Sequence, residues 1–287
     1  METPDFTGMP NLEYLNLSGC ASLKEVHHSL GCSRKLISLK LYRCINLERF
    51  PCLNVESLEK LCLNRCSSLE KFPEILGRLM PKLDISVGGS EIRSDWPTVL
   101  DLSYLDKLVA FPSSIGMLKS LVKLYLSGCS KFESLSEGIG DLENLEELDA
   151  SYTQISQPPS SIIRLNKLKS LNGGLPEDIG CLSSLKELHL QGNNFEHLPL
   201  SIDQLGSLRY LDLSKCRRLK KFLGVNVAEG LRSLENLNLS SCNLKDGGLP
   251  EDIGYLSSLK ELHLQGNNFE HLPLSIAQLG ALQTLHL

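Results

Sequence analysis

The chain has 287 residues, 41% of them hydrophobic, which is enough apolar material for a large buried core. Its formal net charge is −5, with Lys and Arg interleaved among Asp and Glu. That balance reads as an ordinary solvated surface and argues against nucleic acid, whose binders carry a basic stripe.

The opening, METPDFTGMPNLEYLNL, has no basic n-region and no apolar h-region, so it does not read as a signal peptide. No apolar run approaches the roughly 18 residues of a membrane span, and no membrane partner is expected. From Leu12 a period takes over. LEYLNLSGCASL (Leu12–Leu23) recurs as LISLKLYRCINL from Leu36, LEKLCLNRCSSL from Leu58 and LVKLYLSGCSKF from Leu121. It returns as LRYLDLSKCRRL from Leu208 and LENLNLSSCNL from Leu234, with the variant LKELHLQGNNFEHLP at Leu185 and Leu259. Repeats begin near positions 12, 36, 58, 80, 97, 121, 145, 168, 185, 208, 234, 259 and 282. The template is LxxLxLxx(C/N/T)xxL, usually followed by xxLP or xxFP. Most of its steps, roughly 22–26 residues, are those of a leucine-rich repeat. The expected fold is therefore an α/β leucine-rich-repeat solenoid: one right-handed superhelix of about 12–13 repeats over residues 1–287, with a parallel sheet on its concave face.

The template has a direct physical reading. LxL is a short strand whose leucines point inward while the intervening residues point outward. The ninth position is expected to mark the turn. Asn there can bond open backbone groups, and Cys fills the slot as a small, mostly apolar residue. PSSIGML, PEDIGCL and PLSIDQL then start the return segments, with Pro at the head of a helical turn and Ile–xx–Leu facing inward. Short 3₁₀ or one- to two-turn helical returns are expected on the convex face.

Two stretches break the template. Residues 80–97 carry a strand and a glycine-rich turn, MPKLDISVGGSEI. At Leu168 the run KLKSLNGGLPEDIG jumps from strand to GGLP, eight residues short of ENLNLSSCNLKDGGLP downstream. A kink or poorly ordered coil is expected near residues 170–178. Residues 173–213 and 247–287 align without gaps, offset by 74, and 35 of 41 positions match. Three of the differences, Arg209/Gln283, Tyr210/Thr284 and Asp212/His286, fall on outward strand positions. That pattern fits a changing binding surface and fits surface drift equally.

Cys20, Cys44, Cys66, Cys129, Cys216 and Cys242 all take the ninth position, which favours turn-filling core residues over metal or redox groups and a reducing compartment over a secreted disulfide framework. Cys62 and Cys66 form CxxxC but are expected to face opposite sides of the sheet, which disfavours a shared zinc ion. His27–His28 carry no triad or metal partner at a recognisable spacing. No GxxxxGK[ST], GxGxxG, GxSxG or HExxH is present, so no catalytic residue, cofactor or metal is expected and the chain reads as a non-enzyme.

What remains is the variable face of LxxLxLxx. The candidates in the first half are Lys40, Tyr42, Arg43, Asn64, Arg65, Tyr125, Asp149 and Tyr152. Those in the second half are His189, Gln191, Arg209, Tyr210, Asp212, Lys215, His263 and His286. Tyr and Arg are frequent interface anchors. About a dozen strands at about 4.8 Å give an arc of roughly 50–60 Å, wide enough for a folded protein. The histidines could add a pH-sensitive patch, or be solvated strand residues.

The segments TPDFTGMPNLEYLNL, EVHHSLG, LEKFPEILGR, LDASYTQISQPPSSIIRLNKL and NLKDGGLPEDIGYLSSLKELHL resemble the repeat region of plant intracellular disease-resistance receptors. That family carries an N-terminal Toll/interleukin-1-receptor domain, a nucleotide-binding switch and C-terminal leucine-rich repeats. The resemblance covers nearly the whole chain and departs at residues 171–174 and in the near-duplicate block. It implies recognition and autoinhibition in defence, with a pathogen effector protein or the receptor's own nucleotide-binding domain as partner, in the cytoplasm and in some cases the nucleus. Neither signalling nor switch domain is present here, so neither activity is carried over. The alternative is a free-standing repeat adaptor for another cellular protein. The strands nearest Met1 and Leu287 are expected to present unpaired edges, and the isolated chain to be aggregation-prone.

Overall fold

In a computed structural model, the structure describes residues 1–63, 65–77, 84–86, 98–155, 157–222 and 230–287; residues 84–86 and Thr98 are described by backbone alone. The chain forms two compact units, Met1–Leu165 and Asn166–Leu287. Asn64 and most of the irregular stretch 80–97 lie outside the described residues.

In the first unit the strands are β1 (Tyr14–Asn16), β2 (Ser38–Lys40), β3 (Cys52–Asn54), β4 (Lys60–Cys62), β5 (Glu74–Leu76), β6 (Asp84–Ser86), β7 (Thr98–Asp101), β8 (Leu121–Tyr125) and β9 (Glu147–Asp149). The second unit holds β10 (Ser170–Asn172), β11 (Glu187–His189), β12 (Tyr210–Asp212), β13 (Asn236–Asn238), β14 (Glu261–His263) and β15 (Thr284–His286). Each unit stacks these as a parallel sheet, β1-β2-β4-β6-β7-β8-β9 in the first and β10 through β15 in sequence order in the second. The register aligns leucine on leucine: Leu15 with Leu39 and Leu39 with Leu61 in the first unit, and Leu171, Leu188, Leu211, Leu237 and Leu262 in succession in the second. Leu39, Leu61, Leu124, Leu188, Leu211, Leu237 and Leu262 are completely buried. Burial of each stabilises the stack by about 1.5–3 kcal/mol.

Most returns are 3₁₀ turns, as at His28–Cys32, Ser113–Met117, Glu137–Asp141, Ser160–Arg164 and Leu200–Gln204. Two differ from expectation. β3 and β5 pair parallel to each other on the return side, β3 beside His28–Cys32 and β5 bonded from the Ile75 N–H to Ser114 Oγ at 2.9 Å. Their sequences, PCLNV and PEIL, lack the Ile-x-x-Leu run of most helical returns and put β-branched Val55 and Ile75 into the core. Elsewhere glycine lets neighbouring returns touch. A Cβ on Gly138 would stand 2.0 Å from the Ser113 carbonyl oxygen, closer than any atom pair can sit.

The shortened repeat keeps its strand. Ser170 pairs with Glu187, a step of 17 residues, where Tyr14 and Ser38 are separated by 24. The coil begins at Gly173, whose φ of +125° only glycine adopts readily and whose N–H reaches His189 O at 3.2 Å. The chain then runs directly into the turn at Ile179–Cys181.

Candidate functional site

The template's eighth residue, rather than its ninth, makes the turn. Gly19, Gly128, Gly192 and Gly266 occupy that slot at φ between 73° and 78°. Arg43, Arg65, Tyr104, Tyr152, Lys215 and Ser241 occupy it at φ between 56° and 62°. A non-glycine residue there costs about 1 kcal/mol or more. Four sequence candidates, Arg43, Arg65, Tyr152 and Lys215, therefore project from the rim where strand becomes turn, and all four are exposed.

The ninth residue faces the opposite way and bonds across repeats. Cys44, Cys66, Cys129, Cys216 and Cys242 donate their thiols to the carbonyls of Leu17, Leu41, Leu102, Leu190 and Leu213 in the preceding repeats, at 3.0–3.2 Å. Burial pushes the Cys66 and Cys216 thiols up to about 12 and those of Cys44, Cys129 and Cys242 to about 11. These cysteines are neutral donors in a core ladder, beyond the space-filling role read from their size. Asn193, Asn267 and Thr153 take the same slot with amide or hydroxyl donors to Leu190, Leu264 and Ala150.

Strand side chains form the outward face. In the first unit Lys123 Nζ meets Glu147 Oε1 at 2.5 Å, and the Tyr125 hydroxyl donates to Glu147 Oε2 at 2.7 Å. Burial, then the bond to Glu147, pushes the Tyr125 phenol well above the ordinary tyrosine range. Asp149 Oδ1 accepts from the Ser151 N–H at 2.9 Å and from its hydroxyl at 2.6 Å. Asp212 Oδ1 likewise accepts from the Ser214 N–H at 2.8 Å. These two candidates hold the turn that follows their strands, as Asn16, Asp101 and Asn238 do. Lys40 and Tyr42 are exposed, and Arg43 stands 5.8 Å from the Tyr42 ring centre, within cation–π range.

In the second unit the His189 and Tyr210 rings lie 4.8 Å apart, and His263 stacks on His286 at 4.8 Å. Glu187 and Glu261 sit 3.6 Å from His189 and His263. Arg209 and Lys260 flank Glu235, at 3.7 and 2.5 Å. Gln191 is half-buried beside the glycine turn. In the second unit the histidine, tyrosine and arginine candidates thus gather in small clusters, each with a glutamate that a search for aromatic and cationic side chains passes over.

The sequence reading also missed Tyr14 and Tyr104, 67% and 73% exposed. Tyr104 lies over Gly128 of the next repeat, where an added Cβ would come within 2.6 Å of its ring. Both sit at template positions that carry other residue types in neighbouring repeats, so only the column alignment reveals them.

Two clusters bring chemistry-bearing side chains together. Ser29 Oγ lies 2.8 Å from His27 Nδ1, and Asp5 lies 3.9 Å from the same nitrogen. A catalytic triad needs acid and hydroxyl on opposite ring nitrogens. Here Ser29 is 3% exposed and accepts the Phe6 N–H at 2.8 Å, so the group clasps the first residues to the repeat. Asp246, Glu270 and His271 place ligand-type atoms within 4.8 Å of one another, all exposed. Asp246 Oδ1 accepts the N–H groups of Glu270 and His271, and those bonds hold its carboxyl below the usual range. Among the described residues no helix is long and apolar enough to cross a membrane.

The family of leucine-rich repeats described as plant disease resistance protein RPS2-like matches residues 98–243, about half of the chain. The chain belongs to that family. The general leucine-rich-repeat family also matches, at residues 233–256 and 258–279. Among curated relatives, the TMV resistance protein N of Nicotiana glutinosa is 54% identical over 294 residues, covering 99% of this chain and 22% of that protein. The disease resistance-like protein DSC1 of Arabidopsis thaliana is 34% identical, covering 95% of this chain and 20% of that protein. The chain thus spans about a fifth of the length of these relatives. The crystal structure of a TLR13–ssRNA13 complex is similar with a TM-score of 0.57 at 23% identity, covering 98% of this chain and 44% of that one, a likeness of fold alone. In this chain the inward leucines and the cysteine ladder make the scaffold, and the outward columns and turn rim carry different residues from repeat to repeat.

Proposed function

We propose that the sheet face and turn rim of this chain are a protein-recognition surface that works without catalysis, in a plant intracellular immune receptor. Its partners are a pathogen effector protein, the receptor's own nucleotide-binding domain, or both, met in the cytoplasm. The supporting observation is the row of aromatic and cationic side chains held outward on a rigid support. Tyr14, Tyr104 and Tyr152 are each at least two-thirds exposed, and Arg43 and Arg65 stand in the same left-handed slot as Tyr104 and Tyr152. The slot accepts glycine elsewhere in the chain, so side chains kept there at a conformational cost are expected to be used. Family membership and the defence relatives support the immune setting.

Binding of the purified chain to the nucleotide-binding domain of a matching receptor, measured by calorimetry, tests the autoinhibitory half. Saturable binding that Arg43→Glu with Arg65→Glu weakens is expected. Absence of binding by the folded chain would remove that half.

A further inference from the structure

Five cations converge on one cleft in the second unit, in a chain whose net charge is −5. The cleft is open to solvent, offers about 300 Å³ of space and is lined by Arg217, Arg218, Lys220, Lys221 and Lys245, with Asp246 the one acid on its wall among the described residues. All five cationic side chains belong to exposed residues. Glu196 fixes two of them, Arg218 at 2.7 Å and Lys220 at 2.5 Å, from outside the lining. The backbone between the two cationic segments is tied by Asn243 Nδ2 to Arg217 O at 3.2 Å and by the Phe222 N–H to Gly248 O at 2.8 Å. The walls are therefore positioned by bonds that leave Arg217, Lys221 and Lys245 turned to solvent.

The cleft has no second copy in the near-duplicate block. Asn243, Lys245 and Asp246 belong to the eight residues that the earlier copy lacks, where Leu171 and Asn172 run straight to Gly173 and Gly174. The longer repeat thus creates a concentrated positive pocket that its shortened relative cannot form.

We propose that this cleft binds a compact polyphosphate group. Charge density selects that ligand. The volume holds two or three amino-acid residues, which bring at most one negative charge each. A terminal phosphate brings about 1.5 to 2 negative charges at neutral pH and a bridging one about one, each with several acceptor oxygens in less space. Arginine's planar fork and lysine's mobile ammonium both suit phosphate oxygens. The site is separate from the sheet face and does not depend on its role.

The test is calorimetric titration of the full chain with sodium tripolyphosphate at low salt. Saturable one-to-one binding is expected, weakening as salt rises. Arg217→Gln, Lys221→Gln and Lys245→Gln combined are expected to weaken it about tenfold or more, a loss of about 1.4 kcal/mol per factor of ten. The control combination Arg34→Gln, Lys107→Gln and Lys131→Gln removes the same charge from exposed sites in the first unit and is expected to change affinity less than about twofold. Should the triple cleft variant misfold, Lys245→Gln alone is expected to weaken binding while keeping the thermal melt. No saturable binding, equal losses in cleft and control variants, or tighter binding of hexaglutamate than of tripolyphosphate would each overturn the proposal.

Discussion

Asn193 and Asn267 lie in the same words, LQGNNFEHLP, 74 residues apart, yet removing them should have unequal effects. Asn267 makes four hydrogen bonds. Its Nδ2 donates to Leu239 O at 2.8 Å and Leu264 O at 2.7 Å, and its Oδ1 accepts from the Cys242 N–H at 3.1 Å and the Leu244 N–H at 3.0 Å. Asn193 donates to Leu190 O at 2.9 Å and, marginally, to Gly173 O at 3.4 Å. The difference lies in the preceding repeat, because the residues aligned with Cys242 and Leu244 are missing ahead of Asn193. Each bond contributes about 1 kcal/mol net, and each stranded amide costs about 1–3 kcal/mol. Asn267→Ala is therefore expected to cost about 4 kcal/mol or more and Asn193→Ala about 1–2 kcal/mol. Urea unfolding gives the overall loss. Hydrogen exchange gives the local one, since a repeat stack opens regionally. Exchange at Cys242 and Leu244 should accelerate strongly in Asn267→Ala. Equal destabilisation by the two substitutions, or unchanged exchange at those two amides, would refute the reasoning.

Thiol reactivity follows from the ladder. At pH 8 a thiol near 12 is ionised to about one part in ten thousand, so Cys66 and Cys216 should resist Ellman's reagent until the protein unfolds, while exposed Cys32 and Cys181 react first. Tyr125 should govern part of the alkaline behaviour. Its value in the folded protein lies above the unfolded value of about 10, so its contribution is intact below that pH and is lost as pH rises further. In ultraviolet titration Tyr125→Phe should remove late-ionising amplitude; an unchanged curve counts against the Glu147 contact. Gly138→Ala must push the Glu137–Asp141 turn away from the Ser113 carbonyl and is expected to cost about 2–3 kcal/mol in urea unfolding. A loss under 0.5 kcal/mol would show that the returns stack more loosely than described.

The scaffold was legible in the sequence because its signal repeats. LxL places Leu39, Leu61 and Leu124 inward, and the structure stacks them as a parallel sheet. The return strands β3 and β5 were hidden, because PCLNV and PEIL carry the same proline that opens the helical returns. The turn slot was read one residue late. Cysteine's regular appearance drew attention to the ninth position, whereas the eighth holds anything from Gly19 to Tyr104, and only φ angles reveal it. Site residues were legible as outward positions but not as roles. Asp149 and Asp212 cap their own turns, and Tyr125 is tied to Glu147 through spacing across repeats that a single template cannot display. The cleft at Arg217 and Lys245 depends on an eight-residue length difference, which becomes a surface feature only when the repeats are stacked.

The central claim, recognition of protein by the sheet face and turn rim, is tested most directly by comparing two charge-reversed proteins in one calorimetric assay against the nucleotide-binding domain of a matching receptor. One carries Arg43→Glu and Arg65→Glu on the rim; the other carries Arg164→Glu and Lys119→Glu at exposed sites on or beside the 3₁₀ returns. Loss of affinity by about tenfold or more in the first and less than about twofold in the second is the predicted result. Equal losses, or loss only in the second, would contradict it.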